Sequence, residues 1–262
     1  MRQYNFGLCG PALFLVGLVT VLVLAGCDGS PTNGGPADET DYLIRGMFTK
    51  DLNLHSCRAR AVLHRDDSLL ATADVALFDR ALSYEQNAYS LEVEPEGAFP
   101  PDEYHLSLVD STLFADSIEI VVTEAPDSLR VEPPNRINAG GGQVSLYWSL
   151  SASADGYVVA AVPRYMAYFG HGFSLWVNDV QATMETIPPD AFRWSNGIDP
   201  DTGWYYLYVY AYTGSPDSVA STSLLPVPLP GDRLYNVQED RLTGRFGTVT
   251  VALRDSVNVT VE

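Results

Sequence analysis

Short runs of alternating apolar and polar residues follow one another along most of the chain after residue 41. In YHLSLV, Tyr104, Leu106 and Leu108 fall on one face of an extended strand, and His105 and Ser107 fall on the other. Gly, Pro, Asp, Asn or Ser bounds these runs, and a helical period is almost absent. The pattern predicts an all-β body of antiparallel strands, each with one face on the core. The strands predicted in the first half are YLIRGMF, RARAVLHR, ADVALF, YSLEV, YHLSLV and SIEIVVTE.

A proline-punctuated segment, EAPDSLRVEPPNRINAGGG, interrupts the strand pattern in the middle of the chain. Domain boundaries commonly fall in such Pro- and Gly-rich stretches. We therefore expect two tandem antiparallel β-sandwich modules, residues 42–125 and residues 126–262.

The first 26 residues have the layout of a secretory signal. Arg2 precedes an uncharged run from Gln3 to Gly26, whose densest apolar part, Leu13 to Leu24, is short for a bilayer core of about 20 residues. The whole uncharged stretch is long enough to span a bilayer, so length alone does not exclude an uncleaved anchor helix.

The four residues Leu24, Ala25, Gly26 and Cys27 resemble the lipobox of bacterial lipoproteins. The resemblance implies that residues 1–26 are removed as a signal peptide and that the Cys27 thiol carries the lipid that holds the protein on a membrane. Residues 27–41 are rich in Gly, Pro, Asp and Thr, which predicts a flexible tether. We expect a membrane-anchored protein of the cell envelope, on the periplasmic side. Asp28 resembles the inner-membrane retention signal of enteric lipoproteins, and the choice between inner and outer membrane stays open.

Two stretches of the second module, QVSLYWSLSASADGYVVAAV and TGWYYLYVYAYTGSPDSVAS, resemble strands B, C, F and G of a fibronectin type III domain. The resemblance covers residues 126–223 and rests on Trp148, Tyr157, Tyr206, Tyr208, Val209 and Ala211. Two parts depart from it: an aromatic insertion, RYMAYFGHGF, and a C-terminal segment that predicts a further hairpin. The first module resembles the immunoglobulin-like and transthyretin-like modules of envelope lipoproteins in shape and spacing.

Charge and motifs narrow the classes of function. A formal net charge of −18 argues against binding to nucleic acid or to anionic lipid headgroups. The sequence has no GxSxG or SxxK motif and no phosphate-binding loop, and its only lysine is Lys50. We therefore expect a non-catalytic protein without a cofactor. Asp199 and Asp201 alternate as at the start of a calcium loop, but an Asp-Pro turn explains the same residues.

Aromatic residues cluster in and beside the insertion and in the loops that follow it: Tyr165, Tyr168, Phe169, Phe173 and Trp176, then Trp194 and Trp204. Exposed on one end of the sandwich, they would form a platform that stacks on sugar rings or anchors a protein partner. Buried, they would fill the core or cover an edge strand. The leading hypothesis is a lipid-anchored spacer and protein-binding module, and the alternative is a glycan-binding accessory lipoprotein that uses this platform.

Replacing Cys27 with Ala tests the anchor. Without the thiol there is no attachment point for lipid, so we expect the protein to appear in the soluble fraction or to remain unprocessed. Cell fractionation and the mass of the N-terminal peptide measure both outcomes. Membrane association and cleavage like those of the unsubstituted protein would contradict the lipoprotein assignment.

Overall fold

The structure is a computed structural model that describes residues 41–111, 114–138, 141–193 and 202–261. The predicted signal peptide, Cys27 and all but the last residue of the predicted tether lie outside the described residues. Trp194, Asp199 and Asp201 also lie outside them.

The described residues are mostly β-strand, which confirms the all-β prediction. The strands before residue 125 are β1 (Tyr42–Asp51), β2 (Ser56–Arg65), β3 (Ser68–Leu69), β4 (Asp74–Leu77), β5 (Arg80–Ala81), β6 (Ser83–Glu85), β7 (Ala88–Val93), β8 (Asp102–Asp110) and β9 (Phe114–Val122). The later strands are β10 (Arg130–Glu132), β11 (Asn135–Asn138), β12 (Val144–Tyr147), β13 (Gly156–Pro163), β14 (Phe173–Val177), β15 (Met184–Ile187), β16 (Gly203–Gly214), β17 (Val237–Gln238), β18 (Leu242–Val251) and β19 (Asp255–Thr260). The helices are α1 (Ser218–Leu224) and three short 3₁₀ helices, Glu96–Ala98, Arg164–Met166 and Pro189–Phe192.

These strands form three sheets. A 12-stranded sheet has the central order β11-β19-β16-β18-β1-β2-β7-β6, with β13 also paired to β16 and β14 paired to β13. The smaller sheets have the orders β5-β4-β8-β9 and β10-β12-β15. Each of them packs against a different part of the large sheet, which therefore serves as a wall of both halves.

Strand β18 connects the two halves within the large sheet. It pairs with β1 in parallel over ten positions, from Tyr42 opposite Leu242 to Asp51 opposite Val251. On its other side it pairs with β16 in the antiparallel sense. The pairs β1–β18 and β11–β19 are parallel, and thus depart from the antiparallel arrangement predicted for all strands.

The first hydrophobic core lies between the four-stranded sheet and β1, β2 and β7. Residues such as Ile44, Leu63 and Leu106 fill it, and Leu242 and Phe246 of β18 enter it as well. Val237, Leu242 and Phe246, which belong to the predicted second module by sequence, thus pack in the first core.

The second core lies between the three-stranded sheet and β13, β16 and β19. It contains Trp148 and Tyr157, whose ring centroids are 5.4 Å apart, together with Val144, Leu146 and Ile187. Trp148, directly after β12, and Tyr157, on β13, are two of the residues that carry the fibronectin resemblance, and both are buried.

A third cluster covers the opposite face of β13, β16 and β18. Val158, Tyr210 and Val249 contribute from the strands, and Leu224 and Val227 cover them. Strands β13 and β16 are thus buried on both faces, which accounts for the continuous apolar run GYVVAAV.

The end of the stretch that resembles the fibronectin strands forms a helix, α1, which begins at Ser218. The Asp217 side chain accepts a hydrogen bond from the Ala220 amide at 2.9 Å and thereby caps the helix. The buried residues of α1 are Ala220, Ser221 and Leu224, so one helical face covers the third cluster.

The predicted C-terminal hairpin is also corrected. Strands β18 and β19 do not pair with each other. Instead, β18 pairs with Tyr210–Gly214 of β16, and β19 pairs with Gly203–Leu207 of the same strand. They run in one direction along β16, with an interruption at residues 252–254, because the twelve residues of β16 are long enough to bond both.

Threonine hydroxyls join the edge strand β9 to the large sheet. The Val121 carbonyl accepts hydrogen bonds from Thr213 at 2.7 Å and from Thr248 at 2.6 Å. The Thr250 hydroxyl donates to the Thr123 carbonyl at 3.1 Å. Buried carbonyls at this edge are therefore satisfied by side chains rather than by another strand.

Lys50 is buried beside the first core. Its Nζ donates to the Phe99 carbonyl at 3.2 Å. Cys57, opposite Lys50 in the β1–β2 pair, is also buried, and burial raises the pKa of its thiol to about 11. At neutral pH Cys57 is thus a protonated core residue.

The substitution Gly244→Ala tests how closely β1 and β18 pack. A Cβ on Gly244 would lie 1.9 Å from the Ile44 carbonyl oxygen, and its φ is +140°. Gly231 has a similar φ of +149° but open space around its Cα, which makes Gly231→Ala a matched control. Both substitutions add backbone strain of about 1–3 kcal/mol, and Gly244→Ala adds overpacking of about 1–3 kcal/mol more. Urea unfolding measures the stability of both variants, and equal losses would contradict the close packing of β1 against β18.

Candidate ligand-binding surfaces

Strand β16 carries a row of aromatic residues on one face. Alternation places Trp204, Tyr206, Tyr208, Tyr210 and Tyr212 on the same side, and Tyr205 and Leu207 in the second core. The middle of the row is covered: the Tyr210 hydroxyl donates to the Val227 carbonyl at 3.3 Å and accepts from the Val227 amide at 3.2 Å. Trp204 at one end of the row is exposed, whereas Tyr212 at the other end is buried. A groove lies at each end.

The first groove lies where β13 ends and β16 begins. Pro163 is opposite Tyr205 in the sheet, which brings the residues after β13 next to Trp204. Tyr165, which is 62% exposed, and Trp204, which is 48% exposed, line a groove of about 470 Å³ with Pro163, Arg164, Thr202 and Gly203. We call it the Tyr165–Trp204 groove.

Two arginines flank this end of the aromatic row. The guanidinium carbons of Arg164 and Arg254 lie 5.8 Å and 4.3 Å from the centre of the Tyr206 ring. Both distances are within the range of cation–π attraction. The surface beside the Tyr165–Trp204 groove therefore combines aromatic rings with positive charge, in a chain that is acidic as a whole.

Tyr168 of the insertion faces inward. Its hydroxyl donates to the Asp51 Oδ2 atom at 2.9 Å, and the Arg58 guanidinium lies 5.9 Å from its ring centre. Burial, and then the neighbouring Asp51 carboxylate, raises the pKa of Tyr168. Asp51 is itself buried and also accepts from the Asn53 and Leu54 amides. Tyr168 thus ties the insertion to the turn after β1.

The second groove lies at the Tyr212 end of the row. Trp176 of β14 packs edge-on against Tyr212, with ring centroids 5.0 Å apart. Arg233 lies against both rings, and the groove, of about 640 Å³, is lined by Asp155, Trp176, Asn178, Gly214, Ser215, Asp232, Arg233, Leu234, Tyr235 and Asn236. We call it the Arg233 groove. Arg45 and then Arg245 stabilise the Tyr235 phenolate and lower the pKa of that side chain.

The structure places the predicted aromatic residues on separate surfaces. Tyr165 lines the first groove, Trp176 lines the second, and Tyr168 packs inward. Phe169 is 71% exposed and lines neither groove. These four side chains therefore do not share one surface, and Trp194 lies outside the described residues. Sequence reasoning named Trp204 as an aromatic residue of a following loop, whereas it lies on β16 and lines the first groove. It did not identify Arg233.

Within the described ranges, no group of three or more His, Cys, Asp or Glu side chains is placed to hold a metal ion. No helix in this part of the chain has the length and apolar character required to cross a bilayer. The predicted calcium residues Asp199 and Asp201 are not among these residues.

Known proteins give a likeness of fold only. No protein-family model and no curated protein matches the chain. The FN1–FN3 domains of chicken CNTN1 are 12% identical over 84% of this chain and 64% of that one, with a TM-score of 0.29. A complex of Dpr11 IG1 with DIP-gamma IG+IG2 is 7% identical over 86% of this chain and 99% of that one, with a TM-score of 0.23.

A carbohydrate-bound protein is similar to the same low degree. SGBP-B of the Bacteroides ovatus mixed-linkage glucan utilization locus, in complex with a mixed-linkage heptasaccharide, is 10% identical over 79% of this chain and 53% of that one, with a TM-score of 0.21. The chain thus spans less than two thirds of the CNTN1 and SGBP-B chains.

Removing the Tyr168 hydroxyl tests its structural role. Tyr168→Phe leaves a buried carboxylate oxygen without this donor, so we expect a loss of about 1.5–3 kcal/mol in the free energy of unfolding. Tyr165→Phe removes the hydroxyl of an exposed side chain and should change the free energy of unfolding by less than about 0.5 kcal/mol. Denaturant unfolding compares the two, and equal stabilities would contradict the Tyr168–Asp51 contact.

Proposed function

We propose that this chain is a non-catalytic, lipid-anchored binding protein of the cell envelope, held on a membrane through Cys27. The lipobox-like residues at the N-terminus and the lack of catalytic motifs in the sequence support this proposal. The observation that carries the binding role is the Tyr165–Trp204 groove, where two large aromatic side chains stay exposed beside buried tyrosines.

The partner that these residues favour is a protein. Tyr, Trp and Arg are the residue types enriched among the side chains that contribute most to protein–protein affinity. Here Tyr165, Trp204, Arg164 and Arg254 lie within one end of the molecule. The β-sandwich body then acts as a spacer that holds this surface away from the membrane.

A glycan is the second candidate ligand, and one observation favours it. Tyr165 and Trp204 line the same groove, so one sugar unit would contact both side chains, and the Thr202 hydroxyl and Arg164 guanidinium are available at the groove for sugar hydroxyls. Aromatic rings with a few polar groups are the usual composition of such sites.

Paired alanine variants test the protein-binding proposal. Tyr165→Ala and Trp204→Ala remove the groove rings, whereas Phe169→Ala removes an exposed ring outside the groove and serves as the matched control. We expect each groove variant to lower the recovery of one envelope protein by about tenfold or more. Affinity purification from detergent-solubilised envelopes with quantitative mass spectrometry measures the recovery.

The same variants distinguish a protein partner from a glycan ligand. Recovery that is equal for all three variants and the unsubstituted protein would contradict a protein contact at the groove. A tryptophan fluorescence change on titration with soluble oligosaccharides, lost in Trp204→Ala and kept in Phe169→Ala, would instead assign a glycan ligand.

A further inference from the structure

Arg233 is held in a fixed position at the floor of the Arg233 groove. Its guanidinium carbon lies 5.1 Å from the Trp176 ring centre and 4.8 Å from the Tyr212 ring centre. Its Nη1 atom donates to the Asn178 Oδ1 atom at 2.7 Å. Two rings and one amide therefore orient the planar guanidinium before any ligand arrives, which reduces the entropy lost on binding.

The negative charges near this guanidinium already have partners. The Asp155 Oδ2 atom accepts from the Gly214 amide at 2.7 Å. The Asp232 carboxylate accepts from the Ser218 amide and hydroxyl and pairs with Arg245. Arg233 itself forms no ion pair within the described part of the chain, so its charge stays available to a ligand.

Two side chains that line the groove with Arg233, Asn178 and Ser215, keep a hydrogen-bonding group without a partner among the described residues. The Asn178 Oδ1 atom accepts from both Arg233 and the Tyr212 hydroxyl, which leaves the Asn178 amide group free to donate. Ser215 is 2% exposed, and its Oγ atom has no hydrogen-bond partner among the described residues. A ligand that accepts hydrogen bonds would satisfy these groups.

Part of the groove lining is apolar or aromatic. Leu234 is 90% exposed, Tyr235 is partly exposed, and the Trp176 ring forms a wall. A volume of about 640 Å³ lies within the range of small-molecule sites. The ligand should therefore join an apolar group to an acceptor of hydrogen bonds.

We infer that the Arg233 groove binds a carboxylate that carries an apolar group, as at the C-terminus of a peptide or in a small organic acid. The carboxylate would pair with Arg233 through two parallel hydrogen bonds and accept a third from Asn178. A single negative charge suits the site better than a phosphate, because the Asp155 and Asp232 carboxylates in the same groove repel a dianion more strongly than a monoanion. This site is separate from the Tyr165–Trp204 groove and does not depend on the proposed function.

Calorimetric titration of the whole protein with N-acetyl-phenylalanine tests the inference, and the corresponding carboxamide is the matched ligand. The two ligands have the same apolar group and differ in charge. We expect the carboxylate to bind at least about tenfold more tightly than the amide. Equal affinities, or no binding of the carboxylate at millimolar concentration, would overturn the inference.

Three variants locate the binding. Arg233→Gln should lower carboxylate affinity by about tenfold or more, whereas Arg130→Gln should leave it unchanged. Arg130 is the matched control because it also stacks on a tyrosine, with its guanidinium 4.3 Å from the Tyr147 ring centre, outside the groove. Asn178→Asp keeps the side-chain shape but places a carboxylate beside Arg233, and it should lower the affinity to a similar degree.

Asn178→Asp is a second test of the site, because Arg233→Gln could lower the carboxylate affinity by misfolding alone. A properly folded Asn178→Asp protein, judged by circular dichroism, that binds the carboxylate like the unsubstituted chain would refute the site. A longer peptide ending in phenylalanine distinguishes the two sources of carboxylate: tighter binding than N-acetyl-phenylalanine indicates a peptide C-terminus, and equal binding indicates a small acid.

Discussion

Strand β18 is hydrogen-bonded to β1 on one side and to β16 on the other, and its side chains enter two of the three hydrophobic clusters. Leu242 and Phe246 pack in the first core, and Val249 and Val251 pack in the third cluster. A disturbance of this strand therefore reaches both halves. We interpret the described residues as one cooperative unit, because neither half retains its full sheet without β18.

Local patterns predicted the strands well where one face is on the core and the other is exposed. Strands β8 and β9 follow the alternation that predicted them. The sequence does not reveal which strand pairs with which: Tyr42 and Leu242 are opposite each other although 200 positions separate them. Helix α1 was missed because its seven residues are too few to establish a helical period, and Asp217 resembles a turn residue as much as a cap.

The binding surfaces were predictable only in part, for a similar reason. The sequence places Tyr165 and Tyr168 three residues apart, yet Tyr165 is exposed and Tyr168 is half-buried, bonded to Asp51, which lies 117 positions earlier. Arg233 follows a proline-rich segment without a recognisable motif. Its role depends on Trp176 and Tyr212, which reach it from two different strands.

The burial of Lys50 determines how this protein reacts with amine-directed reagents. Lys50 is the only lysine in the chain, and its buried Nζ donates a hydrogen bond to the Phe99 carbonyl. Reagents that acylate exposed lysines therefore find no ready target on a side chain of the folded protein. Modification of Lys50 requires the contact between β1 and Phe99 to open, so its rate of labelling reports local unfolding of the first core. Cross-linking to neighbours is better directed at the many carboxylates of this acidic surface.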